Sequence, residues 1–385
     1  MKKVIVFGIA LFMLFVNAHA EEGEIIDEYI SIYSSEFDDV VAEYDVDESV
    51  RSIVPEFDAE KMIRKTMSGD SIFDIKSIFT RLLSLLFGEI RNVLKIMLYV
   101  IAISILTAYL SALPDGRSKE VSDIAFFACY TVIAGICSVS YVEIVTCAKS
   151  AIDTIVLISK VVVPVVTACL MGSGAVVSAS SFQPMLLSVI GIALFVIEKF
   201  FLPALMLYAI FNIVNNLSEK FNIDKMVQFV GKVIKWGISI LLTIFIGCAG
   251  LQSLASSGAD GISVKIAKYA ASNLIPFVGG ILSESVETVM NCSVVIKNAV
   301  GITGIIIMAG AMLLPLIKIS ACLIVLRLTS SVVQPIADNR VSKCVSGIAD
   351  AVGLVFSITL AVTVMFIIIM TIMLSAGNSA YMLGR

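Results

Sequence analysis

The sequence predicts an all-α, polytopic helical membrane protein with about seven transmembrane helices (six to eight) behind a short, acidic, helical extramembrane segment. Three observations lead there. The 385 residues are 58% apolar and 15% charged, against about 45–50% and about 25% in soluble chains. The apolar residues come in runs long enough to cross a bilayer, so the excess is expected to face lipid. Charge is also divided along the chain: residues 21–88 hold 17 acidic and 6 basic side chains, whereas 89–385 hold 14 and 19. An acidic segment ahead of a mildly basic membrane domain argues against nucleic-acid partners and against docking on anionic lipid.

Lys2 and Lys3 precede the apolar run from Val4 to Val16, and Ala18-His19-Ala20 follows. A positive start, a short apolar stretch and an Ala-x-Ala site are the parts of a secretory signal peptide, expected over 1–20. An uncleaved anchor is the alternative, and either puts the following residues outside the cytoplasm. His19 is the only histidine, so a processed chain has no imidazole for base catalysis, metal ligation or pH switching.

Residues 21–88 read as short helices with breaks at Asp45, Asp47, Pro55 and Ser68-Gly69-Asp70. From Ile75 the apolar positions Ile75, Ile78, Phe79, Leu82, Leu83 and Leu86 line one helix face. Asp74, Lys76, Arg81 and Ser84 take the other, which fits an interfacial helix or a helix of a small soluble domain.

The membrane domain, 89–385, divides into spans at about 90–113, 124–142, 151–171, 236–254, 299–316, 318–333 and 348–374. The apolar stretch 185–214 is too long for one upright span and carries Glu198-Lys199 midway; a tilted, broken helix or a tight hairpin both fit. Gly172-Ser173-Gly174 and Ser178 to Ser181 read as a small-residue loop. Residues 255–297 are only moderately apolar and are read as a broken, re-entrant segment or an extramembrane connector. An external amino terminus puts Arg117-Lys119, Lys265-Lys268 and Arg340-Lys343 inside, as the positive-inside rule favours, but Lys220 and Lys225 outside.

Charges within apolar runs are candidates for function, since each costs about 2.5–3.5 kcal/mol at a helix centre on insertion scales. Lys95 and Lys318 are expected near helix ends, where they can snorkel. Lys160, Glu198 and Arg327 lie deeper, and Arg327 with Glu198 is a conceivable pair. Gly247-x-x-Gly250, Gly301-x-x-Gly304, and Gly347 with Ala351 are spacings that let helices approach closely. All eight cysteines read as small packing hydrophobes, seven of them in or beside apolar runs.

The stretch 260–304 is the most specific. It holds Asp260, Lys265-x-x-Lys268-Tyr269, Ile275-Pro276-x-x-Gly279-Gly280, Glu284-x-x-Glu287-Thr288 and Lys297-Asn298-Ala299-Val300-Gly301. Pro276 and the glycine pair disfavour a continuous helix, and broken backbone at membrane depth needs protein or a water-filled cavity around it. Glu284 and Glu287 share a helix face, fit to bind a cation or relay protons if buried, or to face water if not. Lys265 and Lys268 share one likewise, as topology determinants or partner contacts.

This succession resembles the stage III sporulation protein AE family of endospore formers. The resemblance implies a polytopic subunit of a channel complex in the mother-cell membrane around the forespore. It also implies a secretion-type ATPase and ring-forming intermembrane proteins as partners. The residues are compatible with a non-catalytic role: no Gly-x-x-x-x-Gly-Lys-Ser/Thr loop, Ser–His pair or carboxylate dyad is present, and no cofactor or metal is expected. A self-contained secondary transporter is the alternative.

Overall fold

The computed structural model describes residues 35, 58–68, 75–112, 119–217, 223–274 and 279–384. The expected signal peptide lies outside them, as does the acidic segment apart from residues 35, 58–68 and 75–88. Among the described residues the chain forms α1 (Ala59–Ser68), α2 (Ile75–Ala112), α3 (Lys119–Gly172), α4 (Val176–Val196), a π turn (Ile197–Phe201), α5 (Leu202–Asn215), α6 (Asp224–Leu274), α7 (Gly279–Val333) and α8 (Asn339–Gly384). No strand occurs among them. Six helical stretches are long and apolar enough to cross a membrane.

Six is fewer than the eight spans set out above because two expected connections are absent. The spans over 124–142 and 151–171 are one helix, α3. The spans over 299–316 and 318–333 are likewise one helix, α7. Between the first two lie Glu143, Lys149 and Ser150 but neither glycine nor proline, so nothing in the backbone stops the helix. Between the other two lies only Ile317, and Pro315, just before it, sits inside α7; a proline within a packed membrane helix kinks it more readily than it ends it. Lys318 is therefore well inside a helix, not near an end. In the same way α2 carries the amphipathic face of 75–88 straight into the first span, with Lys95 in mid-helix.

The π turn has a local cause. Pro203 has no N–H to offer the Lys199 carbonyl, and its ring crowds that oxygen. The helix widens just ahead of it, so that Leu202 N–H reaches the Ile197 carbonyl instead. The 185–214 stretch is thus a bulged helix and not a hairpin.

A three-residue turn at Ser173–Ala175 joins α3 to α4, so the expected loop is shorter than read and Ser178 to Ser181 belong to the first turns of α4. Ala175 N–H bonds to the Leu170 carbonyl at 3.1 Å and Gly174 N–H to that of Met171 at 3.1 Å. That pattern is a Schellman cap, and Gly174 supplies the left-handed residue it needs, at φ 83°.

The core runs along α8, α7 and α3. The most apolar window of the last span is 61% buried, against 17% for the first, so α8 is central and α2 is peripheral. α7 runs antiparallel to both α3 and α8, as Lys318–Glu143 and Gly304–Val162 on one side and Arg327–Asp350 and Lys297–Leu374 on the other show. Tyr130 donates to the Ile213 carbonyl at 2.6 Å and Tyr141 to the Leu205 carbonyl at 2.9 Å, which ties α3 to α5. Gly301 and Gly304 of α7 pack on Leu374 and Met370 of α8, with Gly304 also facing Val162 of α3; Gly347 of α8 packs on Asn212 of α5. Among the described residues no atom lies within 4 Å of where a Cβ at Gly247 or Gly250 would stand, so that spacing joins no helices there.

Candidate functional site

Lys149, Asp153 and Lys160 follow one another on α3 at i, i+4 and i+11, so they share a face. Glu198, on the π turn, stands opposite, and its carboxylate lies 3.9 Å from Lys149 Nζ. Together they line a cleft of about 320 Å3 whose remaining walls are apolar, among them Val156, Leu157 and Leu194. All four charged side chains are exposed on the outside of the bundle. Among the described residues no ion pair satisfies Asp153 or Lys160.

The cleft belongs to a wider band of charge. Glu143, six residues before Lys149, lies about 9 Å away along α3 and pairs with Lys318 of α7 at 3.2 Å. Glu89 of α2 is within electrostatic range of Lys318. Charges from α2, α3, the π turn and α7 therefore gather part-way along the bundle. This matters because α3 and α7 have 54 and 55 residues, or about 80 Å each at 1.5 Å per residue. A hydrocarbon core is about 30 Å thick and helix tilts rarely exceed about 40°. Much of the length of these two helices lies outside the hydrocarbon core.

Among the described residues two charged groups are wholly inside the bundle. Asp260 of α6 accepts hydrogen bonds from the N–H groups of Val177 (2.8 Å) and Ser178 (3.1 and 3.2 Å) at the start of α4. The residue before that helix is Ala175, which has no side chain able to cap it. Asp260 fills the role from another helix and puts negative charge at the positive end of the α4 dipole. The buried Ser178 Oγ beside it has no hydrogen-bond partner. Lys297 of α7 is also fully buried, and its Nζ donates to the Leu374 carbonyl of α8 at 2.6 Å. Gly301, one turn on, meets the side chain of the same Leu374.

The remaining candidates fall as follows. Lys265 and Lys268 are on the last part of α6, and Glu284 and Glu287 on the first part of α7, with side chains outside the described residues. Pro276 lies outside them too. Gly279 and Gly280 open α7 and do not interrupt it, and helix is continuous from 255 to Leu274. Asn298 is half-buried beside Lys297. Arg327 does not meet Glu198: it pairs with Asp350 of α8 and lies 3.4 Å from Ser346 Oγ. Glu198 instead faces Lys149 across the cleft between α3 and the π turn.

Sequence reasoning brought Lys160 and Glu198 forward but missed Lys149, Asp153 and Asp350. A signal for the first two was present, since Lys149, Asp153 and Lys160 repeat with the helical period. It was obscured by reading 143–150 as a connection between spans.

A family model for stage III sporulation protein AE matches residues 57–377. The chain belongs to that family. Stage III sporulation protein AE of Bacillus subtilis (strain 168) is 27% identical over 318 residues, covering 82% of this chain and 80% of that protein. No solved structure matches. Membership in the stage III sporulation protein AE family supports a role in sporulation, and the six apolar helical stretches make this member a multi-pass membrane protein. The match takes in the cleft, Asp260, Lys297, α1 to α7 and α8 as far as residue 377.

Proposed function

We propose that the chain is a non-enzymatic, multi-pass subunit of a channel complex that spans the envelope between mother cell and forespore, seated in the mother-cell membrane around the forespore. The observation that carries this reading is the mismatch between the roughly 80 Å of α3 and α7 and a hydrocarbon core of about 30 Å. On α2 the exposed apolar side chains run from Phe79 through Leu98 to Tyr109, about 45 Å along the helix axis, and Phe229 and Trp236 of α6 are exposed as well. Apolar surface that extends past the bilayer requires protein neighbours. A subunit clasped by other chains meets that requirement; a solitary carrier does not.

The partners expected from the resemblance are a secretion-type ATPase and ring-forming proteins between the two membranes. They would supply the motor and the passage, while this chain would supply the membrane seat. Affinity capture of the tagged chain from sporulating cells, solubilised in mild detergent, tests this. Recovery of an ATPase and ring proteins in fixed ratio is expected. Recovery of the chain alone, at all detergent strengths, would refute it.

One feature favours a second reading, secondary transport. Transporters place interrupted helices beside polar sites at membrane depth, and the π turn beside the Lys149–Glu198 cleft has that form. Solute flux by the purified chain alone in liposomes is the outcome that selects it.

A further inference from the structure

The α3 cleft contains an acid and a base that the bundle leaves to something else. Lys149 Nζ lies 3.9 Å from the Glu198 carboxylate, and Asp153 and Lys160 are the two charges of the cleft with no ion pair among the described residues. They stand seven residues apart on one face of α3, about 10 Å along the helix axis. Between them lie Val156 and Leu157, and Leu194 and Leu202 close the opposite wall. The two helical segments that form the cleft are long and apolar enough to cross a membrane. An isolated carboxylate and an isolated ammonium on the outside of such spans are costly unless each finds an opposite charge.

The occupant that answers all of this has one cation, one anion and an apolar body. We propose that the cleft binds the headgroup of a phospholipid bearing a primary amine, phosphatidylethanolamine by chemistry. Its ammonium meets Asp153, its phosphate meets Lys160, and an acyl chain lies along the apolar wall. The net charge of the cleft argues for a zwitterionic lipid over an anionic one, since Lys149 and Lys160 are balanced by Asp153 and Glu198. The carboxylate argues for ethanolamine over choline: a primary ammonium donates charge-assisted hydrogen bonds to Asp153, while a quaternary one has no N–H to donate. The band of charge through Glu143, Lys318 and Glu89 sets the cleft among other polar groups, where a headgroup and not an acyl chain is the natural neighbour.

The full chain, purified and delipidated in detergent, is titrated with phosphatidylethanolamine, its N-monomethyl and N,N-dimethyl derivatives, phosphatidylcholine and phosphatidylglycerol. Bound lipid is counted by native mass spectrometry. Retention of phosphatidylethanolamine about tenfold above phosphatidylcholine is expected, with a graded fall along the methyl series. Asp153→Asn should erase the preference for the amine over the choline headgroup. Lys160→Gln should weaken both, and Lys235→Gln, outside the cleft, should change neither. Equal retention of the ethanolamine and choline lipids would overturn the proposal, as would a preference for phosphatidylglycerol. The methyl series uses the unaltered chain, so it decides the matter even if the variants fail to fold. None of these outcomes depends on whether the chain joins a channel complex.

Discussion

Lys297 lies wholly inside the bundle and donates from Nζ to the main-chain carbonyl of Leu374 at 2.6 Å. A lysine is among the least favourable residues to bury, and this one spans the α7–α8 contact next to Gly301, whose close approach to Leu374 leaves no space for a longer detour. The pair fixes the register of the two most central helices.

Replacing Lys297 by Met keeps the stem and removes the donor. A hydrogen bond from a charged group contributes about 1.5–3 kcal/mol, and Lys297→Met should lower stability by up to about that amount. Lys297→Ala should cost more, since it also leaves a cavity. Thermal unfolding in detergent, followed by thiol labelling of the buried Cys137, Cys169, Cys322 and Cys344, gives the comparison. Equal stability of all three proteins would show that the contact is incidental.

The glycines give a paired test. A Cβ at Gly301 would run into Leu374, whereas one at Gly247 would meet no atom within 4 Å. Gly301→Ala should therefore destabilise by about 1–3 kcal/mol, the usual range for overpacking. Gly247→Ala should be neutral or slightly stabilising in a helix. Shortening Leu374 to Ala in the Gly301→Ala background should recover part of the loss, and the same unfolding assay reads all of these.

Asp260 caps α4 through the Val177 and Ser178 N–H groups. Loss of such a cap costs about 0.5–2 kcal/mol. Asp260→Ala is expected to loosen the start of α4, and Asp260→Asn, which keeps an acceptor, to do so less. Faster hydrogen exchange at residues 176–180, with little change in α8, is the measurement that bears this out.

Arg327 and Asp350 form an ion pair between α7 and α8. Reversing either charge alone should reduce accumulation of the protein in membranes several-fold, and Arg327→Asp with Asp350→Arg should restore it. The combination Arg327→Glu with Glu198→Arg should not rescue, because these two residues do not meet. Rescue by that second swap would contradict the packing.

The α7–α8 turn should respond to acid. Asp338 accepts from the Arg340 backbone N–H at 2.9 Å and from its guanidinium at 2.9 Å, and that guanidinium lies 3.8 Å over the Phe126 ring. Burial pushes the Asp338 carboxyl up, but hydrogen bonding to Arg340 and the guanidinium charge outweigh it and hold it below its ordinary value. A carboxyl whose folded value is lowered stabilises the fold above its unfolded value, near 3.9, and loses that contribution as pH falls through the folded value. The turn should therefore be intact at neutral pH and loosen below about pH 4. Asp338→Asn should abolish this response, read by hydrogen exchange at 338–342. Partial exposure of the pair keeps the effect small.

Sequence and tertiary structure determined different things here. Helical class, membrane residence and the turn at Gly172-Ser173-Gly174 were legible because hydropathy, run length and glycine content are local quantities. The motif around Lys297-Asn298-Ala299-Val300-Gly301 likewise carried the family. The continuity of α3 and α7 was not legible, because a charge inside an apolar run is tolerated in a helix whenever a neighbour answers it, as Lys318 answers Glu143 across two helices. Nor was the choice of partners. Which helix packs against the π turn decides that Glu198 faces Lys149 and that Arg327 falls to Asp350, and this contact is a property of the whole bundle. Asp260 shows the same division. Its carboxylate is evident in the chain, but the helix it caps begins 84 residues earlier, and only folding brings the two together.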